Sequence, residues 1–184
     1  SAEDFGIEQF IGQHQSTTPV LDFASLPGNL GSINATIEVS REAQYNSNLG
    51  FYKVLDLDGS VLDPITGEII NTSDSGYINA ALDSSNIMDF GGNTIFSALD
   101  DSYTSTSVTF SGDSILAPYA SVTANDGIER TYFAFAAAND NNYGSNMSHF
   151  KMLGDNTFGL EDIKGGGDKD FDDMILKLSI DNIS

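Results

Sequence analysis

The sequence contains no cysteine, and its 184 residues include only seven lysines and arginines against 27 aspartates and glutamates. Without cysteine, the chain has no disulfide bond, no thiol nucleophile and no thiolate ligand for zinc. The formal net charge of −20 argues against nucleic acids and anionic membranes as partners, because both bind basic surfaces. No apolar run reaches the roughly 18 residues of a transmembrane helix, so we expect no membrane insertion.

Residues typical of catalytic sites are equally scarce. His14 and His149 are the only imidazoles, and the sequence has no G-x-S-x-G elbow, phosphate-binding loop or dinucleotide-binding fingerprint. With 27 acidic residues, some carboxylate pair always lies at a separation suited to glycoside hydrolysis, so such a pair has no diagnostic weight. The sequence therefore indicates a binding protein rather than an enzyme.

The rest of the composition is that of a folded domain. Hydrophobic residues make up 40% of the chain, including 12 phenylalanines and seven tyrosines, which is enough to form a core. Charged residues make up only 18%, so serine, threonine, asparagine and glycine must cover most of the surface. We interpret residues 1 to 184 as one domain excised from a larger protein.

Strand patterns dominate the chain. Residues 33 to 39 alternate apolar and polar side chains, which predicts a half-buried strand. Further strands are expected within residues 45–69, 86–130, 131–138, 148–153 and 174–180, with turns between them. Short helices are expected within residues 1–15 and within 74–85, the second capped by Asp74 or Ser75. These patterns predict an all-β fold, an antiparallel β-sandwich or jelly roll with one or two short helices.

The most unusual stretch is FGLEDIKGGGDKDFDDMILKL, residues 158 to 178. It sets a group of acidic residues around three consecutive glycines: Glu161, Asp162, Asp168, Asp170, Asp172 and Asp173. Crowded carboxylates repel one another, and a hard divalent cation offsets that repulsion. Calcium binds carboxylate and backbone carbonyl oxygens, and glycines let a loop bend to present both. We therefore predict a calcium-binding loop here.

The spacing of this loop differs from that of helical calcium loops. Asp168, Asp170 and Asp172 alternate as in the first half of an EF-hand loop, but Asp173 stands where the EF-hand has its glycine. No glutamate follows at the twelfth position. An apolar strand begins at Met174 instead, which would place the ion at the rim of a sheet. A solvated acidic turn is the alternative interpretation.

Two other segments contain candidate binding residues. Asp56, Asp58 and Asp63 could form a second calcium site, although a plain hairpin with Asp-Gly at its tip explains them equally well. The polar loop of residues 139 to 149 offers a further calcium ligand and side chains suited to a sugar or a peptide: Asp140, Asn141, Asn142, Tyr143 and Asn146. Arg130 and His149 are candidates for contacting a ligand carboxylate. Alternatively, this loop only ligates calcium.

The acidic stretch resembles the C-terminal signature of a bacterial family known as the DUF4114 domain. The shared marks are a Phe-Gly-x-Glu-Asp element, a glycine-rich loop and an aspartate-rich start to the last strand. The segment TYFAFAAAND, residues 131 to 140, is similar to the strand and turn before that signature. The family is β-rich and occurs in large secreted, calcium-dependent proteins, including RTX-like adhesins. The resemblance implies a calcium-loaded β-sandwich that serves adhesion, with several bound Ca²⁺ ions.

From the residues and the resemblance together, we expect a calcium-dependent ligand-binding module of a secreted bacterial adhesin. Its expected partners are a cell-surface peptide or glycan and the neighbouring domains of the same adhesin. The alternative is a calcium-rigidified spacer domain with no ligand of its own. An ion fully enclosed by protein would favour the spacer, whereas a polar cleft beside the ion would favour the receptor.

Overall fold

A computed structural model describes residues 18–25, 31–140, 147–163 and 167–183, without the side chain of Asp140. The helix expected within residues 1 to 15 lies outside these residues. The described residues form strands β1 (Leu21–Asp22), β2 (Ser32–Arg41), β3 (Asn46–Val54), β4 (Val61–Leu62), β5 (Ile69–Ile70), β6 (Ser102–Ser111), β7 (Ile115–Thr123), β8 (Glu129–Phe133), β9 (Phe150–Gly154), β10 (Thr157–Leu160) and β11 (Met174–Ile183). The helices are α1 (Tyr77–Ala81) and α2 (Ala136–Asp140). Neither described helix has the length and hydropathy needed to cross a membrane.

One sheet contains five antiparallel strands in the order β6-β2-β11-β10-β9. The strand predicted over residues 33 to 39 is confirmed as β2, which pairs with β6 on one side and β11 on the other. Its apolar side chains are at most 1% exposed, and the polar ones between them face outwards: Ile33, Ala35, Ile37 and Val39 are the buried set. The alternation therefore directs one face of this sheet into the core.

The second sheet has β7 at its centre, with β3 along one edge and β1 and β8 sharing the other. A single hydrophobic cluster contains side chains from both sheets. Phe51 of β3 and Phe158 of β10 make an edge-to-face contact across it, with ring centroids 5.4 Å apart. The two sheets thus pack as an antiparallel β-sandwich, which confirms the predicted fold class.

A second hydrophobic cluster covers the outer face of the four-stranded sheet. Here α1 and the β4–β5 hairpin pack on β3, and the Tyr52 and Tyr77 hydroxyls lie 2.8 Å apart. Helix α1 lies within the predicted range, but its N-cap is Gly76 rather than Asp74 or Ser75. The expected cap is wrong because the Asp74 carboxylate instead accepts a hydrogen bond from the Asn71 backbone N–H, at 2.9 Å.

The strand predicted over residues 131 to 138 is wrong in its second half. Strand β8 ends at Phe133, and three alanines and Asn139 form most of α2, since alanine has the highest helix propensity. The buried Asn139 amide accepts from the Phe133 N–H at 2.8 Å and donates to the Phe133 and Met147 carbonyls. One side chain therefore satisfies backbone groups that would otherwise need another strand.

Antiparallel pairing brings several turns together at one end of the sandwich. In the five-stranded sheet, β2 and β10 end there and β6, β9 and β11 begin there. In the four-stranded sheet, β7 ends and β3 and β8 begin at the end marked by the pair Asn46 and Thr123. The short β2–β3 turn joins the two sheets here. We call this the loop end; it contains residues 42–45, 124–128, 161–163 and 167–173.

Candidate functional site

The acidic stretch lies at the loop end, where β10 leaves the sheet and β11 enters it. Leu160 and Met174 are paired, so Glu161 and Asp162 follow one strand directly beside the point where Asp173 precedes the other. The Asp162 backbone N–H donates to Asp173 Oδ2 at 2.8 Å. The backbone of Asp173 is fixed as well, because its carbonyl accepts from the Glu42 N–H at 3.2 Å. The pairing of β10 with β11 thus brings together the residues at the centre of the cluster.

All the acidic residues predicted in this stretch come together. Three groups of carboxylates each have ligand oxygens within 4.8 Å of one another. The groups share members and so form one cluster: Glu161 with Asp162 and Asp173, Glu161 with Asp168 and Asp170, and Asp170 with Asp172 and Asp173. Glu161 and Asp162 lie on the sheet rim, and we call them the inner carboxylates. Asp168, Asp170 and Asp172 lie on the loop and are exposed.

The inner carboxylates are buried and incompletely bonded. Glu161 is fully buried and Asp162 is 4% exposed. Glu161 Oε2 accepts from the Lys169 N–H at 3.0 Å, but Glu161 Oε1 and Asp162 Oδ2 have no hydrogen-bond partner among the described residues. A buried acceptor without a partner costs about 1–3 kcal/mol, and more if it is charged. A cation or a hydrogen-bond donor beside these two oxygen atoms would remove that cost.

The raised pKa values of Glu161 and Asp162 also indicate a place for a cation. Burial, and after it the charge of Asp173, raise the pKa of Glu161 to about 8 and that of Asp162 to about 7. Without a cation the cluster holds protons near neutral pH, because its carboxylates cannot all be charged at close range. Oxygen atoms are the only ligands that these side chains offer, and hard divalent cations such as Ca²⁺ prefer oxygen. The residues present thus fit a calcium ion.

The loop between the two strands is packed tightly against the cluster. Gly167, Lys169 and Phe171 have positive φ angles of 42°, 61° and 59°, and they alternate with the three loop aspartates. A Cβ on Gly167 would lie 2.7 Å from Glu161 Oε1. A Cβ on Gly159 of β10 would overlap the Phe171 carbonyl oxygen. The glycines therefore allow the loop to approach the rim strand closely.

His149 is fully buried behind the cluster, where it contacts Glu161 rather than solvent. Its Nδ1 lies 2.6 Å from the Glu161 carbonyl oxygen, and its own carbonyl accepts from the Glu161 N–H at 2.9 Å. A carbonyl only accepts, so Nδ1 carries the proton. Its ring stacks on Tyr132 with centroids 3.8 Å apart, and burial lowers the pKa of His149. This neutral imidazole fixes the backbone of Glu161.

A groove of about 340 Å³ adjoins the cluster. Its walls come from four separate segments at the loop end and include Tyr45, Asn125, Asp126, Arg130, Asp162 and Ile163. Arg130 forms a 2.7 Å ion pair with Asp126. The sequence indicates Arg130 as a binding residue, but it indicates neither Tyr45 nor Asp126 as a residue of this groove. The Asn-Asp-Gly turn at residues 125–127 signals only a turn, and nothing local to Tyr45 indicates its proximity to Asp162.

The other predicted site residues are not brought together in the described part of the chain. Asp56 Oδ1 accepts from the backbone N–H groups of Asp58 and Ser60, at 3.0 and 3.1 Å. Asp63 Oδ1 accepts from the Ile65 N–H at 2.8 Å. The described carboxylate groups that could hold an ion include none of Asp56, Asp58 and Asp63. Five further candidates lie outside the residues that the structure describes: Asn141, Asn142, Tyr143, Asn146 and the side chain of Asp140.

Comparison with known proteins gives a family but no relative of known activity. No curated protein and no solved structure matches the chain. A family model described as "Domain of unknown function (DUF4114)" matches residues 75–181. The match extends from the start of α1 through the acidic cluster and into β11, and it spans more than half of the chain. The chain therefore belongs to the DUF4114 family.

Proposed function

We propose that this chain is a calcium-dependent ligand-binding module, acting as part of a secreted bacterial adhesin. The observation that carries the proposal is the pair of buried carboxylate oxygens without partners, Glu161 Oε1 and Asp162 Oδ2. Calcium beside them would replace the missing partners and offset the repulsion from Asp173. Asp168, Asp170 and Asp172 would supply further oxygens from the loop, because their carboxylates lie in the same cluster.

The groove supports a receptor over a spacer. Asp162 belongs both to the carboxylate cluster and to the groove wall, so an ion there would lie next to a space that a ligand can enter. The partly buried Arg130 guanidinium lies across the same groove and suits an anionic or strongly polar group. The proposed ligand is a cell-surface peptide or glycan. Calcium would order the groove wall and polarise the ligand groups that reach it.

The first experiment measures calcium binding and thermal unfolding of the chelated protein. Glu161→Gln/Asp162→Asn keeps the shape of the site but removes two negative charges. We expect calcium to raise the Tm of the parent, whereas this variant should lose at least tenfold in calcium affinity and most of the Tm rise. Asp168→Ala/Asp170→Ala should lower the Tm in calcium but leave it unchanged in chelator.

Asp113→Asn is the matched control, because Asp113 is exposed in the β6–β7 turn at the opposite end of the sandwich. It should keep the calcium response of the parent. An equal response in the parent and in Glu161→Gln/Asp162→Asn would reject the calcium site. A glycan and peptide array in calcium then tests recognition. A calcium response without any array signal would replace the receptor by a calcium-rigidified spacer.

A further inference from the structure

A second pocket at the loop end shares no residue with the acidic cluster or with the groove. It has a volume of about 420 Å³ and lies where β3, an edge strand of one sheet, approaches β6, an edge strand of the other. Six of its eight lining residues have hydrogen-bonding side chains, although carbon atoms form much of the exposed wall: Arg41, Asn46, Ser47, Asn48, Ser97 and Thr104 are the hydrogen-bonding residues. Ala98 and the exposed Leu99 supply the apolar part.

Arg41 is the charged group of this pocket and is 7% exposed. Its Nε and Nη2 donate to the Ala43 carbonyl, both at 3.2 Å, and its Nη1 donates to the Ala98 carbonyl at 3.0 Å. A guanidinium has five N–H donors, so these three bonds leave one N–H on each terminal nitrogen. Three hydrogen bonds to two carbonyl groups hold the guanidinium in one orientation and leave two N–H donors for a ligand.

The charge of Arg41 is not paired with a carboxylate in the described part of the chain. Among the described residues, no carboxylate lies within 4 Å of the guanidinium, although its charge lowers the pKa of Asp162 from farther away. A buried charge is costly unless it is paired. An anion that enters the pocket would supply the missing partner, and a carboxylate matches the planar fork of a guanidinium.

The Ser47 side chain is a second group for which the described residues provide no partner. It is 3% exposed, and its hydroxyl oxygen makes no hydrogen bond to any of them. Its backbone also faces the pocket. Leu49 and Lys53 direct their N–H groups away from β7, towards residues 86–96, and the alternation of an antiparallel strand turns Ser47 the same way. Pairing along this edge stops at Leu49, which leaves the donor and acceptor of Ser47 at the pocket.

We propose that this pocket binds an acidic sugar, with the carboxylate of a hexuronate residue on Arg41 and its hydroxyls on Ser47 and the surrounding amide and hydroxyl side chains. Five of the polar lining residues are serine, threonine or asparagine, whose groups both donate and accept, as sugar hydroxyls require. A peptide carboxylate would also suit Arg41. The carbon atoms of the wall can contact the C–H face of a sugar ring while the hydrogen-bonding side chains bind its hydroxyls, so the mixed lining favours the polyhydroxylated ligand.

The test titrates the folded chain with glucuronate, glucose and triglycine, followed by calorimetry and by amide chemical shifts. We expect glucuronate to bind at least tenfold more tightly than glucose, which lacks the carboxylate, and more tightly than triglycine. The largest shifts should fall on residues 41–48 and 97–104. Equal binding of glucose and glucuronate, tighter binding of triglycine, or shifts elsewhere would overturn the proposal.

Variants separate binding from folding. Ser47→Ala removes a hydroxyl with no partner in the free protein, so it should leave the Tm unchanged and weaken glucuronate about fivefold. Arg41→Lys should weaken it by more than tenfold. Ser107→Ala, on the exposed face of β6, is the matched control and should bind as the parent does. Unchanged affinity in Ser47→Ala and Arg41→Lys would reject the site.

This pocket shares no residue with the proposed calcium site, although the charge of Arg41 acts on Asp162. Glu161→Gln/Asp162→Asn should therefore bind glucuronate at least as tightly as the parent while its calcium response is lost. Calcium binding without glucuronate binding would reject only the sugar pocket. If the parent binds glucuronate but shows neither calcium binding nor a calcium-dependent change in Tm, only the calcium site would be rejected.

Discussion

At the scale of single residues, the main feature is a carboxylate cluster in which protein atoms alone bury Glu161 and Asp162. The folded chain binds protons at Glu161 and Asp162 more tightly than an unfolded chain would, because burial and Asp173 raise both pKa values. The unfolded chain releases those protons first as pH rises. Stability of the metal-free protein must therefore fall across the interval from the ordinary carboxyl pKa to the raised one.

This sign gives a prediction for the chelated protein. Its Tm should fall as pH rises from about 6.5 to about 8.5, the interval that contains the raised pKa values of about 7 and about 8. His149 acts in the opposite direction, because its lowered pKa leaves the folded ring neutral where the unfolded ring still binds a proton, but this contribution ends a little above the ordinary histidine pKa of 6.5. In excess calcium the fall should disappear, since the ion replaces the protons. Thermal melts at four or five pH values measure both curves.

Glu161→Gln/Asp162→Asn is the control, because neither amide titrates. Its Tm in chelator should be nearly independent of pH over this interval. A parent whose chelated Tm stays level or rises between those pH values would contradict the raised pKa values of both carboxyl groups.

At the scale of elements, the loop of residues 167–173 depends on the strand below it. Gly159 in β10 has the Phe171 carbonyl where a Cβ would stand, so the loop occupies the space that a side chain would need. Three residues of this loop have positive φ angles, and two of them are not glycine. Such conformations cost roughly 1–3 kcal/mol each unless neighbouring contacts hold them. Strand packing and loop conformation are therefore coupled.

A methyl group at Gly159 tests this coupling. Gly159→Ala should push the loop away from β10 and lower calcium affinity at least tenfold, because the loop aspartates would move from the inner carboxylates. Gly154→Ala, in the adjacent strand β9, is the matched control. Its Cβ would meet only Thr157, at 3.5 Å or more, and the calcium affinity should not change. Calorimetric titration with calcium compares them.

Equal calcium affinity in the parent and in Gly159→Ala would show that the loop does not need its close approach to β10. Circular dichroism of each variant checks that the sandwich itself remains folded, which the comparison requires.

At the scale of the whole molecule, the formal charge of −20 opposes compact folding through self-repulsion. The described carboxylate clusters are concentrated at the loop end, so repulsion there is stronger than the mean charge suggests. Each Ca²⁺ ion of the proposed site would cancel two charges of this excess. A sandwich without disulfides would thus gain stability from ions that bind only its folded form.

Salt dependence follows from this charge. In chelator, raising sodium chloride from about 10 mM to about 500 mM should raise the Tm, because screening weakens repulsion between carboxylates. In saturating calcium the same change should have a smaller effect, since the strongest repulsion is already offset. Scanning calorimetry at both salt concentrations checks this. A salt effect of the same size with and without calcium would show that repulsion within the acidic cluster does not cause the salt dependence of the Tm.

The sequence by itself determined the fold class, the family and the composition of the acidic cluster. Alternation from Ile33 to Val39 specifies which face of β2 is buried, because side chains in a strand point to opposite faces in turn. The density of aspartate around the triple glycine marks the cluster without any knowledge of its partners. These features are local, so they can be recognised in the chain alone.

Only the tertiary structure decided which carboxylates are buried and what surrounds them. Periodicity assigns a residue to a face but does not say which strand lies beside it, and pairing between distant segments places Tyr45 and Asp126 next to Asp162. The helix α2 was missed for a related reason. The apolar run from Thr131 looks like one strand, but β8 ends at Phe133. The buried Asn139 amide, six residues later, bonds to the Phe133 N–H and carbonyl, and the same carbonyl also accepts from the His149 N–H.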